Sequence, residues 1–382
     1  MSEQKLQPGD KLTLTIDDLA FGGEGVGRMN DYVVFVPYTI PGEVVEVELV
    51  EAKKSFGRAN LLAVLEPAAE RTEPRCQYFG DCGGCQYQHI DYAAQLRFKR
   101  KQIADLFQRV GGFADDVVEE VAPCPEPFHY RNRIMVRSQR DRETGRMKVG
   151  FLANKSKRVV DIEACAIAED VLNKQLTELR ATPPHKGGLK SVLRKMPENW
   201  EVGRDSFFQN NFFLLPELVK SVRHCLLDAG AKHLIDAYCG VGFFSLECAD
   251  LVETFVGVEL DQQAIKSAKK NMTHRGITNG QFAKGLAEEY LPGLLMRHPG
   301  ELTTLITDPP RTGCPPQSME RVRKAGPQQV IYVSCHPATL ARDLKILCDG
   351  DVYQLKSVKP HDMFPQTQHV ECVADLRRQD PD

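Results

Sequence analysis

Cys335 lies where the apolar run QVIYV (329–333) ends in a His-Pro turn, and its thiol could act as a nucleophile. A thiolate that adds to carbon-6 of uracil makes carbon-5 electron-rich enough to accept a methyl group. A base must then remove the carbon-5 proton before the thiol can leave. The alternative interpretation is that Cys335 only fills the core, as most cysteines do.

A base for this chemistry is available in the segment MFPQTQHVECVADL (363–376). Residues two apart in a strand face the same side, so His369 and Glu371 are predicted to point together. We predict Glu371 as the base, with His369 as the second candidate or its hydrogen-bond partner. Six other cysteines have no comparable setting and are predicted to be structural: Cys225, Cys239, Cys248, Cys314, Cys348 and Cys372.

A binding site for the methyl donor is indicated by LIDAYCGVGFFSL (234–246), which places Gly240 and Gly242 after an apolar strand. The next strand ends in Glu259, an acid suited to accept hydrogen bonds from ribose hydroxyls. LITDPPRTGC (305–314) then places Asp308 at a strand end, before a turn fixed by two prolines. This pattern favours an S-adenosylmethionine (SAM) enzyme over a nicotinamide-binding fold with a degenerate loop. Amino methyltransferases carry a similar Pro-Pro turn.

The elements that must position these residues change in type along the chain. Residues 9–66 alternate like the strands of a small five-stranded barrel of the OB type. Residues 91–110 read as an amphipathic helix ended by Gly111 and Gly112, and 117–204 are mainly β. From about 206, strands and helices alternate, which predicts a parallel Rossmann-like sheet. The predicted domains are therefore 1–67, 68–205 and 206–382; the helix is expected to dock on the third.

A second cysteine group spaces Cys76, Cys82 and Cys85 as C-x5-C-x2-C. Three thiols in ten residues call for a fourth ligand, either Cys165 or Cys124. Zinc and an iron–sulfur cluster both accept four thiolates, and His89 could complete a zinc site. Spacing alone slightly favours zinc.

Composition favours a cytoplasmic protein that crosses no membrane, and we infer no obligate protein partner from the sequence. The start of the chain lacks the apolar core of a secretory signal, and no apolar run approaches a membrane span. The net charge is −3, yet residues 131–160 hold ten Lys and Arg against two acids. That local excess could contact RNA phosphates, although most charge runs are solvated surface.

Six motifs together resemble the RNA uracil-5 methyltransferases, which make 5-methyluridine. They are FFQNN (207–211), DAYCGVGFFSL (236–246), GVELD (257–261), DPPRTG (308–313), VSCHPATLARDL (333–344) and DMFPQTQHVE (362–371). The resemblance implies SAM binding by Gln209, Tyr238, Glu259 and Asp308. It also implies that Cys335 is the nucleophile and Glu371 the proton acceptor.

The resemblance extends to the rest of the chain. Members with the same cysteine spacing hold a [4Fe-4S] cluster, which implies ligation by Cys76, Cys82, Cys85 and Cys165, with zinc as the alternative. The barrel resembles the TRAM domain, and both features favour 23S ribosomal RNA over transfer RNA. His336 replaces a common Asn, and Phe243 and Leu286 replace polar residues near the cofactor. Competing hypotheses are methylation of another base or an amine, and a non-catalytic iron–sulfur RNA-binding protein.

Overall fold

The computed structural model describes residues 6–379, which divide into two compact units. The first unit contains residues 6–102, 126–194 and 364–368. The second contains residues 103–125, 195–363 and 369–379. The boundaries predicted at 67 and 205 remain predictions. Within 6–379, no helix combines the length and apolar character needed to cross a membrane.

The first unit begins with the closed five-stranded barrel that the alternating pattern predicts. Its strands are β1 (Lys11–Leu19), β2 (Glu24–Met29), β3 (Tyr32–Pro37), β4 (Val44–Ala52) and β5 (Phe56–Glu66), in the order β1-β2-β3-β5-β4. Every second residue of β1 is buried, because the side chains of a strand alternate between the barrel interior and solvent. Parallel pairing of β3 with β5 completes the closure.

Helix α1 (Tyr92–Leu106) follows the cysteine segment and continues as a π-helical turn over Phe107–Gly111. Gly112 ends it with a left-handed φ of 76°, as the glycine pair predicts. The buried face is more polar than its pattern suggests: Lys99 is 1% exposed and donates to the carbonyl of Phe364. The end of the helix, from Ile103, packs into the apolar core of the second unit.

A four-stranded sheet completes the first unit, in the order β8-β7-β6-β9. Its elements are β6 (Arg133–Arg140), β7 (Met147–Leu152), β8 (Val159–Asp161), α2 (Asp170–Ala181) and β9 (Lys190–Arg194). Leu172 and Leu176 of α2 are fully buried in one core with Ile134 and Val136 of β6. One face of the sheet is therefore apolar and covered. This sheet lies within residues 117–204, the region predicted to be mainly β.

The second unit is built on a seven-stranded sheet in the order β12-β11-β10-β13-β14-β16-β15. Its strands are β10 (His233–Ala237), β11 (Thr254–Glu259), β12 (Gly280–Lys284), β13 (Thr303–Thr307), β14 (Gln329–Ser334), β15 (Tyr353–His361) and β16 (Glu371–Arg378). The first five are parallel, and β13 and β14 are buried along their whole length, as expected when helices cover both faces. The predicted Rossmann-like fold is confirmed.

Six helices accompany this sheet. They are α3 (Leu215–Ala229), α4 (Phe243–Glu247), α5 (Gln262–His274), α6 (Ala287–Arg297), α7 (Pro316–Ala325) and α8 (Pro337–Cys348). The chain reverses its direction of strand addition between β10 and β13, so the loops after these strands diverge there. In open α/β sheets, this crevice at the carboxyl ends of the strands is where ligands bind.

Candidate active site

Cys335 and Glu371 are brought together by the pairing of two antiparallel strands, β14 and β16. Ser334 is the register partner of Cys372, so the next step along the ladder places Cys335 opposite Glu371. Cys335 directly follows β14, and Glu371 is the first residue of β16. The predicted nucleophile and base thus lie at the same edge of the sheet, although 36 positions separate them in the chain.

Burial sets the protonation of both groups. It raises the pKa of the Cys335 thiol to about 11, with a further contribution from the negative charge of Glu371. Glu371 is 4% exposed, and burial together with the charge of Asp308 raises its pKa well above the usual range. A carboxylate with a raised pKa is a stronger base, which suits the removal of a proton from carbon.

Arg311 lies beside Cys335 and Glu371, a placement that the sequence pattern did not reveal. Its guanidinium hydrogen-bonds the Cys335 thiol and lowers the pKa of that thiol, and its charge also lowers the pKa of Glu371. Arg311 lies in the exposed loop after the two prolines, and a single arginine in such a loop does not by itself indicate a functional role. Its position three residues after Asp308, in DPPR, is the one clue that the sequence offers.

An Arg311→Gln variant tests this electrostatic role without any RNA. Loss of the positive charge should raise the pKa of Cys335 further, so less thiolate is present at neutral pH. We expect alkylation of Cys335 by iodoacetamide to slow by roughly fivefold and its pH profile to move upward. Mass spectrometry of the peptide containing Cys335 measures both. Lys345→Gln, an exposed charge on α8, is the control; equal profiles in all three proteins would contradict the assignment.

His369 does not share a strand with Glu371, so that part of the prediction is wrong. Strand β16 begins only at Glu371, and His369 precedes it. Its ring Nδ1 lies 3.3 Å from an Arg311 nitrogen. The residue therefore contacts the cation that faces the thiol, rather than standing beside Glu371 on the ladder.

The loop that carries Asp308 and Arg311 is fixed by a buried carboxylate. Asp343 of α8 is fully buried and accepts hydrogen bonds from the backbone of Cys314 at 2.8 Å and from the hydroxyl of Tyr332 at 2.6 Å. Removing such a partner would leave buried donors unsatisfied. The position of Asp308 thus depends on β14 and α8, the elements that flank Cys335.

The glycine loop after β10 forms an open cradle beside Glu259. The Glu259 carboxylate accepts from the backbone N–H of Gly240 at 3.1 Å and of Asp261 at 2.8 Å. Gly240 has a φ of 55° with open space beyond its α-carbon. A Cβ on Gly242 would come within 2.6 Å of the Phe282 ring, so only glycine fits there. The contact at Gly242 is with a core ring, whereas the open space at Gly240 leaves room for a nucleotide-like ligand beside Glu259.

Tyr238 and Gln209 lie in the same unit but in different settings. Tyr238 holds a left-handed φ of 64° directly after β10, and its hydroxyl donates to Glu288. Gln209 is buried, and Asn211 beside it donates to the Met363 carbonyl at 3.2 Å. Gln209 lies in the motif FFQNN (207–211), and Tyr238 lies in the motif DAYCGVGFFSL (236–246). Whether they contact SAM stays a prediction.

The phenylalanines around Gln209 divide into two kinds. Phe208 is 4% exposed and packs against Trp200, Phe212 and Phe243, which makes it a core residue. Phe243, the apolar replacement in the glycine loop, therefore belongs to an aromatic cluster. Phe207 is 62% exposed and remains available for stacking on a base.

His336 performs the role that an asparagine would have. It is the N-cap of α8, and its ring Nδ1 accepts from the backbone N–H of Thr339 at 3.3 Å. Asparagine caps helices by the same kind of bond. The replacement is thus chemically conservative, and it leaves the start of α8 directly after Cys335, where a helix N-terminus favours a thiolate.

The four cysteines of the predicted metal site line one cavity of about 220 Å³ in the first unit. None of them forms a disulfide. Burial, together with a smaller contribution from neighbouring thiols, raises the pKa of Cys82 to about 11 and of Cys85 to about 12. Backbone N–H groups of Ile167 and Ala168 donate to Cys165. Within residues 6–379, however, no three or more His, Cys, Asp and Glu side chains are arranged to hold a metal ion.

The alternative fourth ligands lie elsewhere. Cys124 belongs to the second unit, where its sulfur accepts from Asn211 at 3.2 Å. His89 is buried against the rings of Tyr38 and Phe79 and does not line the cavity. Among the three candidates, Cys165 is the one that joins the C-x5-C-x2-C group.

Comparison with known proteins agrees with this architecture. Residues 194–379 match the family model of tRNA (uracil-5-)-methyltransferases, and residues 5–62 match the TRAM domain. An uncharacterized RNA methyltransferase of Synechocystis is 32% identical, over 97% of this chain and 96% of that relative. One from Halalkalibacterium halodurans is 30% identical, over 98% of this chain and 99% of its own length.

Among solved structures, Pyrococcus abyssi tRNA (uracil-54, C5)-methyltransferase bound to S-adenosyl-L-homocysteine is similar over 96% of this chain and all of that one. The TM-score is 0.71 and the sequence identity 25%. Relatives that match almost end to end, together with the two matching family models, establish the assignment. This chain belongs to the SAM-dependent RNA uracil-5 methyltransferase family.

Proposed function

We propose that this enzyme methylates carbon-5 of a specific uridine in RNA through a covalent bond between Cys335 and carbon-6. The observation that carries the proposal is the register of β14 and β16, which sets a thiol opposite a buried carboxylate. Transfer to an exocyclic amine needs neither group, because nitrogen supplies its own lone pair. A reaction at an amine would therefore not explain why Cys335 and Glu371 lie opposite each other.

The reaction begins when the Cys335 thiolate forms a bond to carbon-6, and the electron pair of the 5,6 double bond moves onto carbon-5 and the adjacent carbonyl. Carbon-5 then takes the methyl group of SAM, which leaves as S-adenosylhomocysteine. Glu371 accepts the carbon-5 proton, the double bond re-forms, and the thiolate departs. Arg311 favours the thiolate at the start and receives it again at the end.

We assign Gln209, Tyr238, Glu259 and Asp308 to the methyl donor. The position of Glu259 after β11, beside the glycine loop, supports hydrogen bonding to ribose hydroxyls. Asp308 follows β13 at the switch point of the sheet and shares its surroundings with Glu371. Bound there, the donor would lie on one side of the loop DPPR (308–311) and the nucleophile on the other.

We also propose a [4Fe-4S] cluster ligated by Cys76, Cys82, Cys85 and Cys165. Four thiols around a cavity of about 220 Å³, with backbone N–H groups directed at the Cys165 sulfur, support it. The bound cluster would crosslink the cysteine segment to the loop before α2.

Metal analysis tests the cluster directly. Protein purified without oxygen should contain iron and sulfide in nearly equal amounts, and Cys85→Ser or Cys165→Ser should lose most of both. Cys348→Ser, a half-buried thiol in the second unit, is the control and should retain them. Zinc in place of iron would contradict the cluster, and metal-free wild-type protein would contradict both assignments.

For the RNA target we favour 23S ribosomal RNA, because a barrel and this cysteine set occur together in family members of that type. Transfer RNA is the second candidate, supported by the similarity to the Pyrococcus abyssi enzyme. Unmodified transcripts of both RNAs should be incubated with the protein and labelled SAM, then digested and mapped by mass spectrometry. We expect one 5-methyluridine in the ribosomal transcript. Label only in transfer RNA would select the alternative, and no 5-methyluridine in either would contradict the function.

A further inference from the structure

The uncovered face of the small sheet carries four cations in two directly opposed pairs. Along β6, Arg133 and Arg137 lie on the side opposite the buried Ile134 and Val136. Arg133 is the register partner of Arg194, and Arg137 is the partner of Lys190. Like charges set directly opposite on antiparallel strands destabilise the sheet. The fold tolerates this cost twice on the same face.

Several other cations of the first unit pair with acids. In the barrel, Lys53 pairs with Glu51 at 3.0 Å, and Arg58 pairs with Glu24 at 3.0 Å. Within residues 6–379, by contrast, Arg133, Arg137 and Lys190 form no ion pair with an acidic side chain. Burial lowers the pKa of Arg194, and the charge of Arg133 also contributes to this lowering. Arg133, Arg137 and Lys190 therefore give the face a positive charge that no acidic side chain neutralises within residues 6–379.

Between the two pairs lies an exposed apolar spot. Met135 and Val192 are register partners at the centre of the ladder and are 42% and 46% exposed. The two cation pairs stand four residues apart along the strand, or about 13 Å. Phosphates at either end, with a ribose or base against the apolar centre, match this pattern of charge and spacing.

We propose that the exposed face of β6 and β9, formed by Arg133, Met135, Arg137, Lys190, Val192 and Arg194, binds the sugar–phosphate backbone of the substrate RNA. This inference rests on the proposed function for the identity of the partner. The sequence alone indicates only the charged run 131–160 as a possible RNA contact. The proposed surface uses one face of that run and adds β9, which lies outside it. Each opposed cation pair would hold one phosphate.

The test uses an Arg133→Gln, Arg137→Gln double variant of the full-length protein and a labelled oligouridylate as the probe. Binding at low salt should weaken by about tenfold. The slope of log affinity against log salt should fall by about 0.7 for each phosphate that the variant no longer binds. Lysine at both positions should preserve most of the affinity. Because the variant relieves repulsion across the ladder, its free energy of unfolding should be equal to or higher than that of wild type.

A control with the same loss of charge is Lys266→Gln, Lys269→Gln, on the exposed side of α5 in the second unit. It should bind the oligonucleotide like wild type. Wild-type affinity and slope in the Arg133, Arg137 variant would overturn the proposal. The proposal would also be overturned if the Arg133, Arg137 variant bound the oligouridylate like wild type but lost binding to phosphatidylserine vesicles, since the face would then bind lipid rather than RNA. Failure of the proposed function would look different: wild type would bind the oligonucleotide yet form no 5-methyluridine.

Discussion

A Cys335→Ala variant should lose methyl transfer by at least about 10³-fold while still binding SAM and RNA. The physical reason is that carbon-5 of uracil cannot attack the methyl group until a nucleophile has added to carbon-6. Transfer of labelled methyl from SAM to RNA measures the loss. A binding assay with each substrate alone shows that the pocket remains intact.

RNA containing 5-fluorouridine gives the matching positive result. Glu371 cannot remove fluorine as it removes a proton, so the wild-type enzyme should remain bonded to the RNA on a denaturing gel. Peptide mapping should locate the bond at Cys335. Cys348→Ala, at the far end of the helix that follows Cys335, should form the adduct normally. Near-full methylation by the Cys335→Ala variant would instead favour chemistry on an amine or another base.

A Glu371→Gln variant should transfer the methyl group once and then stay attached to natural RNA. Glutamine has the size of glutamate but cannot accept the carbon-5 proton, so the methylated adduct has no route to release the thiol. We expect less than one turnover per enzyme and a covalent complex approaching one RNA per chain. In wild type, release should slow as pH falls, because the raised pKa of Glu371 means that its base form is lost early on acidification.

His369→Gln separates the two candidate bases. Since His369 contacts Arg311 and lies outside β16, this variant should release its product and turn over repeatedly. A trapped complex with His369→Gln, combined with normal turnover by Glu371→Gln, would reassign the base to His369. Trapping by neither variant would argue against proton removal by a side chain of this segment.

The parts that sequence reasoning could predict are those governed by local pattern. Apolar strands flanked by Gly and Pro predict β10, β13 and β14, and alternation predicts the barrel. Cys335 and Glu371 could be named because the chemistry demands a thiol and a base. Their adjacency, however, depends on the pairing of Ser334 with Cys372 across antiparallel strands, which no local pattern encodes.

Other features depend on tertiary partners and were therefore hidden. Lys99 looks like a solvent-facing residue of an amphipathic helix, yet it is buried because a backbone carbonyl is there to accept its protons. Arg311 gains its role from residues at positions 335, 369 and 371. The four cations of the small sheet become opposed only when β9 pairs with β6.

The order of strands in the large sheet also constrains how the enzyme is assembled. Strand β16 is inserted between β14 and β15, so the hairpin partner β15 reaches the sheet only through β16. A chain folded only as far as α8 would display the thiol without the carboxylate, and a methylated adduct that it formed with RNA could not be released. The same incompletely folded chain would expose the apolar edge of β14, and an unpaired edge strand of this kind readily pairs with a strand of another chain. Topology thereby ties the maturation of the sheet to protection from self-inactivation.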